Sequence, residues 1–491
     1  MQAIEALHSS LQTDVFSNTD LSLIVLLRAV PQHLLGALMQ RHVLSGVLDI
    51  PLSPKPGIKG CLPLHKLVTA VDSLPSLTGL KICSGSLRHA DLRHIAAMLS
   101  GHAGTLQSVN LSNQLAVQDT DQSCIGMTFS RSEIDARVAR VWQALVGCCK
   151  LTSLDLSSTR VHPAFGQCLC DSLPELQGLK HLNLSYACIR ERDTAYRDDV
   201  LPAILSLTNL TCLCLSRGHL ALVPLHGQGT DFEFLSLNLH KLKSLRYLDM
   251  TRQSISLGDA CTLLAAVASM PSMHEFRAPM VVHKLVGDEP NRERHDVRVL
   301  MELCSDWLTK SRCSGASDTV ALVSGPVQSN LSVLSLTTCY PHCVLLLLRF
   351  ALSEMECRQD GRVDLATAGA SQVRWKPIDA LKLLEALDLS CVLFDSVREY
   401  VVDTSVLIEF VANLPSLQQL NLSQCRISCA NFQALCSTLC DKEAESAIPG
   451  LTSLDWSRNE KLTGVAVRDL CGMTTLQRLI MQDCGVGEQV V

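Results

Sequence analysis

The chain has 491 residues, 47% hydrophobic and only 18% charged, with a net charge of −6 and a mean hydropathy of +0.21. That balance offers no basic surplus for nucleic acid, and the longest apolar runs, 21–27 and 344–348, fall far short of the ~20 residues that a membrane span needs. The 23 cysteines are scattered through apolar positions instead of being spaced as a disulfide framework, and the opening Met-Gln-Ala-Ile-Glu-Ala lacks the basic start of a signal peptide. Both features predict an intracellular, cytoplasmic and reducing setting.

Ile4, Leu7, Leu11 and Val15 follow helical spacing; Asp20 is placed to cap a second helix, and 33–48 reads as a third. The stretch 51–60, with Pro51, Pro54 and Pro56, reads as a linker. Residues 1–60 are therefore expected to form a helical N-terminal cap or a small adaptor segment, and 61–491 a repeat array that such a cap would close.

From Leu77 onward one unit recurs, clearest in 151–161, Leu-Thr-Ser-Leu-Asp-Leu-Ser-Ser-Thr-Arg-Val. Its apolar residues stand at positions 1, 4, 6 and 11; positions 4 and 6 share one face of a short strand. First positions fall at Leu77, Leu106, Leu151, Leu179, Leu210, Leu245, Met273, Leu331, Leu384, Leu417, Leu451 and Leu476, about twelve repeats. The intervals run from 25 residues (Leu451 to Leu476) to 58 (Met273 to Leu331), and the wide ones mark insertions near 116–132, 284–328 and 353–380. Between strands the period becomes helical: Ile134, Val138, Val141, Leu145 and Cys149 form one stripe, and Phe432, Leu435, Cys436 and Leu439 another. Leu74-Pro75, Met270-Pro271 and Leu414-Pro415 stop helices just before the next strand.

These units resemble the leucine-rich repeat consensus, and a period with room for a full helix resembles its ribonuclease-inhibitor-like subclass. The resemblance implies an α/β horseshoe solenoid with a parallel β-sheet on the concave face and helices on the convex face. The family usually has Asn or Cys at position 9; Gly85, Ala187, Gly218 and Val392 depart from that, so those turns are expected to lack the inward hydrogen bond.

Motifs for chemistry are near misses. The segment 227–232 lacks the third glycine of a dinucleotide loop, His274-Glu275 is not followed by a second histidine, and no Gly-x-Ser-x-Gly elbow occurs. Cys339, His342 and Cys343 are close together, but Cys339 is a position-9 residue and packing explains it. No metal, no cofactor and no catalytic residue is expected. The sequons at Asn110, Asn183 and Asn421 arise because Asn and Ser flank a core Leu.

Positions 2, 3, 5, 7 and 8 of each strand point away from the core. At position 5 seven residues are Asn or Asp, a polar ladder that solvent alone would explain. One group of repeats is richer, exposing Lys180, His181, Tyr186, Arg217, Arg246, Tyr247, Arg252, His274, Glu275 and Arg277. Arg and Tyr dominate binding hot spots, and a cationic face suits an acidic protein surface. Ordinary surface variation, with pairs such as Arg246 and Asp249, competes with that reading. The expectation is a non-enzymatic protein–protein interaction scaffold with no nucleic acid and no membrane partner. A GTPase-activating regulator and a ubiquitin-ligase substrate receptor stand as alternatives.

Overall fold

The computed structural model describes residues 47–51, 77–83, 89–112, 131–158, 163–187, 196–217, 230–282, 330–337, 341–352, 355–357, 373–375, 381–392, 405–445, 450–459, 470 and 472–484. They fall into two compact units, Met1–Asp193 and Thr194–Val491.

In the first unit the order is β1 (Val47–Pro51), β2 (Gly79–Cys83), α1 (His89–Gly101), β3 (Ser108–Asn110), α2 (Arg131–Gly147), β4 (Ser153–Asp155), α3 (Pro163–Ser172) and β5 (His181–Asn183). Strands β1 to β5 are parallel and follow one another in sheet order, with α1 packed on α2 and α2 on α3. Strand β1 corrects the expected helix over 33–48: Val47 and Leu48 are strand, paired with Gly79 and Leu80, so the sheet starts one strand before Leu77. The rest of that helix lies outside the described residues.

The second unit runs α4 (Tyr196–Leu205), β6 (Cys212–Cys214), α5 (Asp231–Asn238), β7 (Tyr247–Asp249), β8 (Ser254–Ser256), α6 (Leu257–Ala268), β9 (Glu275–Arg277), β10 (Met280–Val282) and β11 (Val333–Ser335). It continues with α7 (Pro341–Leu352), β12 (Met355–Cys357), β13 (Val373–Trp375), β14 (Ala386–Asp388), α8 (Ser405–Ala412), β15 (Gln419–Asn421), α9 (Cys429–Glu445), β16 (Ser453–Asp455) and β17 (Arg478–Ile480). Its main sheet is parallel in the order β6-β7-β9-β11-β14-β15-β16-β17, while β8 and β10 pair separately. The insertion near 353–380 carries an antiparallel pair, β12 with β13, which no sequence period announced. The insertion near 284–328 lies outside the described residues, as does that near 116–132 except for Arg131 and Ser132, which open α2.

The apolar comb is the core. Position-4 residues Leu154, Leu182, Leu213, Leu248 and Leu420 are all at most 2% exposed. Each stacks in register on its neighbour's counterpart, as Leu154 does on Val109 and Leu182. Leu479, at position 4 of the last described strand, is 40% exposed, having no further strand beyond it among the described residues. On α2, Val138, Val141 and Leu145 are buried as expected, but Cys149 is exposed. The helix ends at Gly147, and Cys148 with Trp142 completes the stripe. Neighbouring helix starts are tied together. Thr230 caps α5 by accepting from the Glu233 N–H (3.0 Å) and donates to Asp259 (2.8 Å), the residue whose N–H is capped by Ser256 at the start of α6 (3.1 Å). Burial, against the hydrogen bonds from Ser256 and Thr230, holds the Asp259 carboxyl above its ordinary range.

Two turn devices repeat along the chain. The seven position-5 residues Asn110, Asp155, Asn183, Asp249, Asp388, Asn421 and Asp455 each accept, at 2.8–3.0 Å, from the backbone N–H two residues on. The polar ladder is thus a set of Asx turns that close each strand. Position 8 then takes a positive φ without being glycine: Ser158, Tyr186, Arg217, Arg252, Cys391, Gln424, Arg458 and Asp483 lie between 49° and 65°. Left-handed backbone costs such residues about 1–2 kcal/mol, and the next repeat offsets this by accepting the position-8 N–H, as Ser185 O does from Ser158 (2.7 Å). Ser158→Gly should therefore leave stability unchanged or raise it by up to about 1 kcal/mol, and Ser158→Val lower it by about 1–2 kcal/mol. Thermal melts of the two variants beside the parent check this.

Position 9 completes the turn. Cys425 Sγ donates to Leu389 O (3.0 Å), Cys484 Sγ to Trp456 O (3.1 Å), Asn459 Nδ2 to Leu422 O (2.7 Å) and Gln253 Nε2 to Leu215 O, each reaching position 6 of the preceding repeat. Ala187 and Val392 have no side-chain donor to offer, as expected; Gly85 and Gly218 lie outside the described residues. Burial raises the thiols of Cys425 and Cys484, and pushes Cys148 up to about 11 with help from Cys149, so these groups stay protonated donors and poor nucleophiles.

Candidate partner-binding surface

The residues that the sequence singles out divide between the two units. In the first, Lys180 and His181 are exposed at the start of β5, and Tyr186 is half-buried in the left-handed turn after it (φ 59°). In the second, Arg217 and Arg252 are exposed at the left-handed turns after β6 and β7, Arg246 is exposed just before β7, and Tyr247 and Arg277 stand on β7 and β9.

Strands β7 and β9 pair with Tyr247 opposite Glu275 and Asp249 opposite Arg277. This register brings four outward side chains together. Arg277 Nε donates to Glu275 Oε1 at 2.8 Å, and the Arg277 guanidinium carbon lies 5.4 Å from the centre of the Tyr247 ring, within cation–π range. The Tyr247 hydroxyl makes a long contact with Asp249 Oδ2 at 3.5 Å. Burial, and then the Asp249 carboxylate, push the Tyr247 phenol well above its ordinary range, so it stays a donor. Asp249 is further held by Thr251, whose hydroxyl donates to it at 2.8 Å.

The pairing of Arg246 with Asp249 does not occur among the described residues; Arg246 is exposed and its side chain has no hydrogen-bond or ion-pair partner there. The ion pair that does form is Glu275 with Arg277, which are two apart on one strand and so share a face. That spacing was readable, and sequence reasoning weighed Arg246 with Asp249 instead.

His274 contacts Ser332 Oγ at 2.8 Å through Nδ1. The contact lacks the third group that would make it a nucleophilic triad: no carboxylate orients the ring among the described residues, and Ser332 is 6% exposed. No group of three or more His, Cys, Asp or Glu side chains could hold a metal ion among the described residues. Nor is any helix there long and apolar enough to cross a membrane. Cys339 and the side chains of His342 and Cys343 lie outside what the structure describes.

The parallel ladder, with a helix returning the chain between most successive strands, defines an α/β solenoid of leucine-rich repeats. No family model and no curated protein matches the sequence. Among solved structures, the chain is similar to an internalin (InlF) from Listeria monocytogenes, at 12% identity over 91% of this chain and 93% of that one, with a TM-score of 0.37. It is also similar to TLR13 in its complex with ssRNA13, at 16% identity and a TM-score of 0.37; the match covers 87% of this chain and half of that one. At that level of likeness, the fold rests on the hydrogen-bonded ladder itself.

Proposed function

We propose that this protein is a non-enzymatic interaction scaffold, built like the ribonuclease-inhibitor-like leucine-rich repeats, that binds an acidic protein surface on the outward face of its sheet. One observation carries the reading. Four arginines, Arg217, Arg246, Arg252 and Arg277, are exposed in three consecutive repeats of the second unit, with a half-buried Tyr247 beside Arg277. Asp249 and Glu275 stand beside Tyr247 and Arg277. Such a face steers an acidic partner and supplies the residue types that dominate hot spots. Lys180, His181 and Tyr186 have the same chemistry on the first unit, and the proposal does not depend on them.

The test is affinity purification with mass spectrometry, comparing the parent with the triple variant Arg217→Glu, Arg246→Glu, Arg252→Glu. The variant should lose the parent's acidic partners, with an on-rate lowered about tenfold or more and a larger effect at low salt. The same partners recovered in the same amounts would end the proposal.

A further inference from the structure

We propose that Arg277 is the anchor of this surface: a preoriented fork that takes one aspartate or glutamate carboxylate of an acidic partner segment in a bidentate pair. The inference rests on the acidic-partner reading above and names the group at its centre. Position 5 elsewhere is largely committed to the backbone, since seven repeats use Asn or Asp there to cap the N–H of position 7. In the repeat beginning at Met273, position 7 is Pro279, which has no N–H to cap. Position 5 is thereby released from that duty, and an arginine occupies it.

The arginine is also held. Nε is fixed by Glu275 at 2.8 Å and one face lies toward the Tyr247 ring, yet the side chain is 47% exposed. Its two terminal nitrogens have no hydrogen-bond partner among the described residues. A guanidinium pinned at Nε and open at its Nη edge presents two parallel N–H donors, the geometry that a carboxylate meets bidentately. Glu275 and Asp249 stand beside it, so a phosphate dianion would meet two carboxylates at close range, whereas a carboxylate brings one charge. Orientation by Glu275 and Tyr247 lowers the ordering cost of binding.

The probe is a fluorescein-labelled octaglutamate peptide, followed by anisotropy on the full chain at two salt concentrations, with an octapeptide of phosphoserine in parallel. Arg277→Lys keeps the charge and removes the fork; it should weaken octaglutamate binding about tenfold. Tyr247→Leu leaves every formal charge in place and should weaken it several-fold with an unchanged salt slope. Arg458→Lys, on an exposed turn after β16 and away from β7 and β9, should bind as the parent does. If Arg277→Lys binds octaglutamate like the parent, charge alone is at work and the anchor is overturned while the cationic surface stands. If phosphoserine peptide binds more tightly and loses more on Arg277→Lys, the carboxylate assignment is overturned. If the parent does not bind octaglutamate at all, the anchor and the acidic-partner reading fall together.

Discussion

Asn459→Ala should lower the unfolding free energy by about 3–5 kcal/mol, because its side chain bonds four buried backbone groups and three of them are stranded without it. Asn459 is 2% exposed and uses both ends of its amide. Its oxygen accepts from the N–H groups of Cys425 (3.0 Å) and Ile427 (3.4 Å), and its nitrogen donates to Leu422 O (2.7 Å) and Trp456 O (3.0 Å). Two N–H groups flanking Arg426 converge on one acceptor because Arg426 takes a positive φ of 50°, which makes the loop a small nest for an oxygen. Truncation strands Cys425 N–H, Ile427 N–H and Leu422 O, while Trp456 O keeps the Cys484 thiol at 3.1 Å. Each stranded group costs about 1–3 kcal/mol. Asn459→Asp should be worse, since it keeps the acceptor but sets a buried charge against two carbonyl oxygens. Urea unfolding checks both, and a loss below about 1 kcal/mol for Asn459→Ala would show the clamp to be loose.

Leu154→Ala and Leu420→Ala should each cost about 2–5 kcal/mol, and Leu479→Ala, the same truncation at the same repeat position, under about 1 kcal/mol. The first two side chains are 1% and 2% exposed, each between counterparts on both neighbouring strands; Leu479 is 40% exposed at the edge. Position in the array, not chemistry, sets the difference. Denaturant midpoints of the three variants measure it, and equal losses would contradict the described edge.

The comb of leucines was legible because a period-2 strand face and a helical stripe both leave marks in composition, and Leu154, Leu182, Phe432 and Leu439 were placed by it. The left-handed turn at position 8 was not legible. Glycine usually marks such turns, but here the next repeat's carbonyl secures the turn, and Ser158, Arg217 or Gln424 can occupy it. The role of position 5 left a readable trace, Asn or Asp with Ser or Thr two residues on, that a solvated ladder explained too easily. Strand β1 was hidden because Pro51 and the prolines beyond it read as linker, although proline is tolerated on an edge strand. Of the candidate surface, the residue types were legible; the contact of Arg277 with Tyr247 was not, because it depends on the register between two strands 28 residues apart.

The Asx turns let construction and electrical character vary independently. The cap needs only an acceptor at Oδ1, which an amide and a carboxylate supply equally well. At Asn183 and Asn421 a substitution by Asp would thus keep the acceptor of the bend, and it would set the new charge beside Asp155 in the first case and beside Asp388 and Asp455 in the second. At Asn110 the amide also donates to Asp155 at 3.1 Å, a hydrogen bond that a carboxylate there would lose. The charge of the outward face can therefore be retuned by substitution at position 5 without rebuilding the turn, within the limit that like charges on neighbouring strands repel.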